Sequence, residues 1–223
     1  MYILAPSLFE ADYQNLGQQL SEIKKAGAEY VHIDVMDGNF VPNISFGAKM
    51  IKGLRTASDI FFDIHLMVQE PDRFIDQMIA AGSDSLTVHY EACTDLKKTL
   101  EHIRSGGVRS GVALKPQTSI DVLTPDILKL TDVVQLMSIE PGIEGQKFRP
   151  ETFMRIQQVK KILEKMQLQR DIEIDGNITF DNVENVIKAG ANIIVAGRSI
   201  FESDIQENIK HMKKKMSGCS DHI

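Results

Sequence analysis

The sequence predicts an α/β fold in one domain, a single (β/α)8 barrel spanning 1–223. Short β-rich runs alternate with amphipathic stretches along the whole chain, the pattern of a parallel sheet whose strands are joined by helices. About eight such runs occur, near Ile3, Val31, Phe62, Leu86, Val112, Val133, Ile172 and Ile193, and eight is the number that closes such a sheet into a TIM barrel. Chemically reactive side chains stand at the ends of several of these runs. A doubly wound open sheet would instead concentrate its signal in one glycine-rich turn after an early strand.

Taken in order, Tyr2-Ile3-Leu4-Ala5 reads as a short buried strand stopped by Pro6-Ser7, and Leu16, Leu20 and Ile23 share one face of the helix that follows. Ala26-Gly27-Ala28 ends that helix, because glycine supplies the left-handed conformation a helix terminus needs. The same punctuation returns at Ala81-Gly82-Ser83, Ser105-Gly106-Gly107 and Ala189-Gly190-Ala191, each time just ahead of a β-rich run. Helical spacing fills the intervals: Phe74, Met78 and Ile79; Leu96, Leu100 and Ile103; Phe153, Ile156, Val159 and Leu163; Val183, Val186 and Ile187. The tail, 210–223, is polar with a Lys213-Lys214-Lys215 run and reads as a frayed helix end.

With 43% hydrophobic and 25% charged residues the composition is that of a globular protein able to bury a large core. The net charge of -6 argues against nucleic acid as the main partner, so any anion must be held locally. Cys93 and Cys219 are far apart and in no metal-type spacing, which indicates neither a disulfide framework nor a zinc ribbon and fits a reducing compartment. The N-terminal stretch lacks the basic-then-apolar order of a signal peptide, and no run approaches membrane-spanning length. A cytoplasmic location without membrane contact is expected.

The stretch Val31-His32-Ile33-Asp34-Val35-Met36-Asp37-Gly38 carries the chemistry. Val31, Ile33 and Val35 alternate with His32, Asp34 and Met36, so a strand sends one row into a core and the other toward a site. Phe61-Phe62-Asp63-Ile64-His65-Leu66-Met67 echoes it, and Ile172-Glu173-Ile174-Asp175-Gly176 is another strand stopped by Asp-Gly. In a barrel the C-terminal strand ends meet at one rim, so His32, Asp34, His65 and Asp175 converge despite their separation in sequence. Either histidine alone would read as a hydrogen-bonded barrel residue; together with two aspartates they make a metal site. Asp37 reads as a turn former, and His89, His102, His211 and His222 are left out of the site.

These residues carry a resemblance to the ribulose-phosphate 3-epimerases, phosphate-binding barrel enzymes of the pentose phosphate route. The matching stretches are Ala5-Pro6-Ser7, the run from His32 to Gly38 with Phe40-Val41-Pro42-Asn43, Asp63-Ile64-His65-Leu66-Met67, 137–148, Ile174-Asp175-Gly176 and Ala196-Gly197. The resemblance implies a ribulose-phosphate-binding TIM barrel with one divalent ion per chain, zinc, manganese, iron or cobalt, bound by His32, Asp34, His65 and Asp175. It implies that Asp34 and Asp175 move the proton on opposite faces of a ketose phosphate, inverting carbon 3 through an enediolate. D-ribulose 5-phosphate going to D-xylulose 5-phosphate is the expected reaction, with a hexulose phosphate such as D-allulose 6-phosphate as the alternative. A non-catalytic phosphosugar-binding barrel would leave the strand-end acids and histidines without a task.

By the same resemblance Ser7 and His65 contact substrate, and Met36, Met67 and Met137 enclose the reacting centre. Phosphate is expected at Gly142, Ile143, Glu144 and Gly145, at Gly176 and Asn177, and at Gly197 and Arg198. Here the chain departs from the family pattern, which has glycine at 144 and 177 and a small residue, commonly serine, at 198. Glu144 adds negative charge near an anion, whereas Arg198 brings a guanidinium suited to phosphate. Expected partners are the small sugar phosphate and further copies of the chain in a homo-oligomer.

Overall fold

The computed structural model describes residues 2–219. Eight strands, β1 (Ile3–Pro6), β2 (Tyr30–Met36), β3 (Phe61–Met67), β4 (Ser85–His89), β5 (Arg109–Leu114), β6 (Val133–Met137), β7 (Asp171–Asp175) and β8 (Ile193–Ala196), pair in parallel in the order β1-β8-β7-β6-β5-β4-β3-β2. A parallel bridge between Ser7, just past β1, and His32 of β2 closes the ring. Helices α1 (Leu16–Lys25), α2 (Ala48–Ala57), α3 (Ile75–Ala81), α4 (Leu96–Ser105), α5 (Pro125–Leu130), α6 (Glu151–Lys165), α7 (Val183–Ala189), α8 (Arg198–Phe201) and α9 (Ile205–Ser217) lie between and after the strands. The predicted single-domain (β/α)8 barrel is therefore the observed one.

Strand alternation sorts the side chains into two shells. The outward row, including Val31, Ile33, Phe62, Ile64, Leu86 and Val134, packs with Leu20 and Ile23 of α1, Leu100 of α4 and Ile156 of α6 in one apolar cluster. Fully burying such a side chain stabilises by about 1.5–3 kcal/mol, so this outer shell holds the barrel together. The inward row is different. Ala5, Val133, Ile193 and Val195 form only a small apolar cluster, while His32, Asp34, Asp63, His65, Ser85, Thr87, His89, Gln135 and Glu173 are buried polar groups. The hydroxyls of Ser85 and Thr87 find no hydrogen-bond partner among the described residues. Space inside is short: a Cβ on Gly111 would lie 2.0 Å from Thr87 Oγ1, so only glycine fits opposite Thr87 in the register.

The chain end corrects an expectation. The segment read as fraying from residue 210 is helix α9 as far as Ser217, because Ile205, Ile209, Met212 and Met216 recur at helical spacing and are buried. Lys213, inside the basic run, is bonded to the Gly27 carbonyl and the Glu29 carboxylate, and Lys215 lies 3.6 Å from Glu184. Residues 220–223, His222 among them, fall outside the described residues. Among the described residues no helix is long and apolar enough to cross a membrane.

Candidate active site

Parity within rigid strands builds the centre. His32 and Asp34 share the inward row of β2, and the register sets Asp34 directly beside His65 of β3, while Asp175 ends β7 across the ring. His32 Nε2 lies 3.3 Å from Asp34 Oδ1 and 3.8 Å from Asp175 Oδ2, and His65 Nδ1 lies 3.2 and 3.5 Å from the same two oxygens. Four donors held at ~2.0–2.2 Å in a tetrahedron around one ion stand roughly 3.3–3.6 Å apart, so this set has the spacing of a metal site. Its chemistry also fits, since His32 Nε2 is buried with no hydrogen-bond partner and faces the carboxylates. The cluster of His32, Asp34, His65 and Asp175 is thus able to hold a divalent ion.

Charge in this centre is strongly coupled to geometry. Burial alone would push the Asp34 carboxyl up, but His32 and His65 beside it hold it far below the usual carboxylate range. Burial alone would likewise disfavour a cationic His32, yet Asp34 and Asp63 raise it well above its ordinary value. Ser7 Oγ donates to Asp34 Oδ2 at 2.6 Å while accepting from the Phe9 N–H at 3.3 Å. His32 Nδ1 is 2.7 Å from Asp63 Oδ2, the carboxylate partner that fixes a ligand imidazole in one tautomer. Beneath lies Glu173, fully buried, with Oε1 3.4 Å from His32 Nδ1 and neither oxygen hydrogen-bonded among the described residues; burial, with Asp63 nearby, raises its carboxyl well above normal.

A cavity of about 120 Å³ opens above the two aspartates. Its wall contains Ser7, Asp34, Met36, Met67, Met137 and Asp175 at one end, and 142–145, Gly176, Asn177, Gly197 and Arg198 toward the other. Every one of these belongs to the residues expected from the sequence. His65, also expected to touch substrate, is fully buried behind Asp34 and Asp175, its Nδ1 3.2 and 3.5 Å from their carboxylate oxygens. Asn177 explains its own departure from glycine, because its φ of 48° is left-handed and asparagine tolerates that region better than most residues. Its side chain donates to the Gln146 carbonyl at 3.1 Å, tying the loop after β7 to the loop after β6.

Other participants were not anticipated. Glu10 lines the far end with Glu144 and Arg198; its half-burial pushes the carboxyl up, Arg198 pulls it down, and Glu144 and Asp34 push it up again. Two carboxylates therefore share that end with one guanidinium. Asp63, Gln135 and His89 stand behind the metal-type donors, with His89 Nε2 2.9 Å from His65 Nε2 and Gln135 Nε2 3.2 Å from Asp175 Oδ2. The period of two was the available signal. Asp63 precedes His65, and Gln135 precedes Met137, by one step of the same inward row.

Fold and site together define a class, a β/α-barrel enzyme with its chemistry at the C-terminal rim of the strands. The model of the ribulose-phosphate 3 epimerase family matches residues 3–201. A ribulose-phosphate 3-epimerase of Bacillus subtilis (strain 168) is 40% identical over 215 residues, 96% of this chain and 99% of that protein. One of Schizosaccharomyces pombe is 38% identical over 209 residues, 92% of this chain and 90% of that protein. The chain belongs to the ribulose-phosphate 3-epimerase family and is an isomerase. Among solved structures, a 3-hexulose-6-phosphate synthase superposes with a TM-score of 0.69 at 14% identity over 97% of this chain and 100% of that one, a likeness of fold alone.

Proposed function

We propose that this chain inverts carbon 3 of a ketose phosphate, converting D-ribulose 5-phosphate to D-xylulose 5-phosphate. One observation carries the reading: Asp34 and Asp175, on strands that are not neighbours, face the same cavity with imidazoles behind them. Epimerisation next to a ketone removes a weakly acidic proton from one face and returns one to the other, which takes two groups. Asp34, held as a carboxylate by His32 and His65, takes the proton from carbon 3, and Asp175 supplies one to the opposite face of the enediolate; the roles exchange in the reverse direction. The Ser7 hydroxyl, anchored by the Phe9 N–H, orients Asp34 through its 2.6 Å bond. A divalent ion held by His32, Asp34, His65 and Asp175 would supply Lewis-acid stabilisation of the developing oxyanion charge.

Met36, Met67 and Met137 give the reacting end an apolar, polarizable wall that keeps water from the carbanion. The phosphate belongs at the far end, where the loops after β6, β7 and β8 meet the start of α8 and Arg198 offers a guanidinium. Two carboxylates there, Glu10 and Glu144, favour weighing a second substrate, a hexulose phosphate such as D-allulose 6-phosphate, which needs the same chemistry with one more carbon before the phosphate. The exposed apolar side chains of Tyr13, Ile44 and Met50 support self-association, which sedimentation would measure.

The test is solvent exchange. In deuterated water the wild type should wash deuterium into carbon 3 from either sugar, whereas Asp34→Asn and Asp175→Asn should lose epimerisation and keep exchange from one epimer only. Near-normal turnover in either variant would replace this mechanism with a single-carboxylate one. Specificity constants for the two sugar phosphates decide between the five-carbon and six-carbon readings.

A further inference from the structure

Three contacts in series lead away from the centre on the β4 side. His65 Nε2 lies 2.9 Å from His89 Nε2, His89 Nδ1 lies 3.1 Å from Glu91 Oε2, and Glu91 Oε1 accepts the Lys115 N–H at 2.8 Å and the Thr118 hydroxyl. Both imidazoles are fully buried. His89 is also confined, with the Phe40 ring centroid 4.9 Å from its own and the Lys115 ammonium 3.9 Å from the centroid of that Phe40 ring.

With both imidazoles neutral, as metal ligation by His65 requires of that ring, such a series has one consistent set of proton positions. A carboxylate anchored by an N–H and an O–H is an acceptor, so the proton between it and His89 sits on His89 Nδ1. A neutral His89 then presents a lone pair at Nε2. The 2.9 Å contact between the two rings needs a donor, which makes Nε2 of His65 the protonated nitrogen. The lone pair of His65 is thereby placed on Nδ1, the nitrogen that lies 3.2 Å from Asp34 Oδ1 and 3.5 Å from Asp175 Oδ2.

We infer that His89 and Glu91 are positioning residues, a two-step chain that sets the tautomer and ring orientation of His65 so that Nδ1 is the atom offered to a divalent ion. His32 reaches the same end by one step, through Asp63. The inference rests on His65 being a metal ligand, as proposed above, but the proton on His65 Nε2 is observable without any ion. Glu91→Gln keeps the size of the side chain and adds a donor that can face His89 Nδ1, inverting the chain. His89→Leu cuts it. His89→Gln can restore it, because an amide accepts from His65 at its oxygen and donates to Glu91 at its nitrogen.

The experiment uses chelator-stripped full-length protein with 15N-labelled histidine. Long-range 1H–15N spectra of the wild type should show His65 protonated at Nε2 and His89 at Nδ1, and Glu91→Gln should change the His65 pattern. Zinc titrated into the same samples in competition with a chelating dye should bind about 10–100-fold more weakly to Glu91→Gln and His89→Leu, with His89→Gln close to wild type. A wild-type His65 without a proton at Nε2 overturns the inference, as does Glu91→Gln with an unchanged His65 pattern and unchanged zinc affinity. If His89→Leu does not fold, Glu91→Gln and the spectra still decide. A wild type that binds no zinc yet shows the stated tautomers defeats the metal reading and leaves the chain of hydrogen bonds standing.

Discussion

The two ends of the cavity are built on different principles. At the reacting end, His32, Asp34, His65 and Asp175 stand on strands, their spacing is set by register, and each is held by a further buried partner. At the far end, 142–145, Asn177 and Arg198 stand on loops or the first turn of a four-residue helix, and Glu10, Glu144 and Arg198 share charge across open space. The contrast teaches where variation is tolerated. In the proposed reaction, chemistry that needs positions within a few tenths of an ångström sits on the scaffold, whereas recognition of the substrate's tail is left to segments that can change.

Substitutions at the reacting end should have the largest effects. Asp34→Asn or Asp175→Asn should lower kcat by about a thousandfold or more, since each removes one side of the proton transfer; steady-state assay in both directions measures it, and a loss under tenfold breaks the contrast. Next in size is metal retention. His32→Ala and His65→Ala should each lower bound divalent metal, read by elemental analysis of purified protein, and equal content in all three proteins would remove the metal from the account.

The far end should respond more gently and in binding rather than turnover. Arg198→Ala should raise KM about tenfold with a smaller change in kcat, and Glu144→Gly should lower KM a few-fold by removing negative charge near the phosphate. An unchanged KM in Arg198→Ala would show that this guanidinium is not engaged. The smallest effect concerns stability and acid. Burial alone would raise the Glu91 carboxyl, but its bonds to His89, Thr118 and the Lys115 N–H bring it down to about 2, from an ordinary 4.5. Its folded value is the lower one, so its contribution is complete above about 4.5 and fades as pH falls toward 2. Wild type should therefore exceed Glu91→Gln by ~1–2 kcal/mol in urea unfolding at pH 7 and by less at pH 3.5.

How far the sequence was legible follows from the same contrast. The period of two along β2, β3 and β7 exposed His32, Asp34, His65 and Asp175, because strand parity is a local property. Asp63, Gln135 and His89 carried the same parity, but which inward polar residue abuts which proposed ligand depends on ring closure and register, and these emerge only in three dimensions. Helix α9 was hidden because Lys213-Lys214-Lys215 interrupts the eye between Met212 and Met216. Helices α2 and α5 bury few residues, Ile51 and Leu54 in one and Leu128 in the other, too few to mark a face. Glu10 is the residue sequence reasoning had no means to place, since its half-burial against Gly197 joins the first β/α loop to the last.

The polar inward shell has a consequence for the history open to this barrel. Because the outer apolar cluster supplies the cohesion, inward positions are under little obligation to fold the chain, and some oppose it: an unpartnered buried hydroxyl such as that of Ser85 or Thr87 costs about 1–3 kcal/mol. Replacing such a group by an apolar one of similar size leaves the scaffold at least as stable while erasing a polar foothold, and the reverse change introduces one at a bearable cost. A lineage can thus exchange the contents of the ring one strand at a time, trying new donors and acids at the rim without ever passing through an unfolded ancestor.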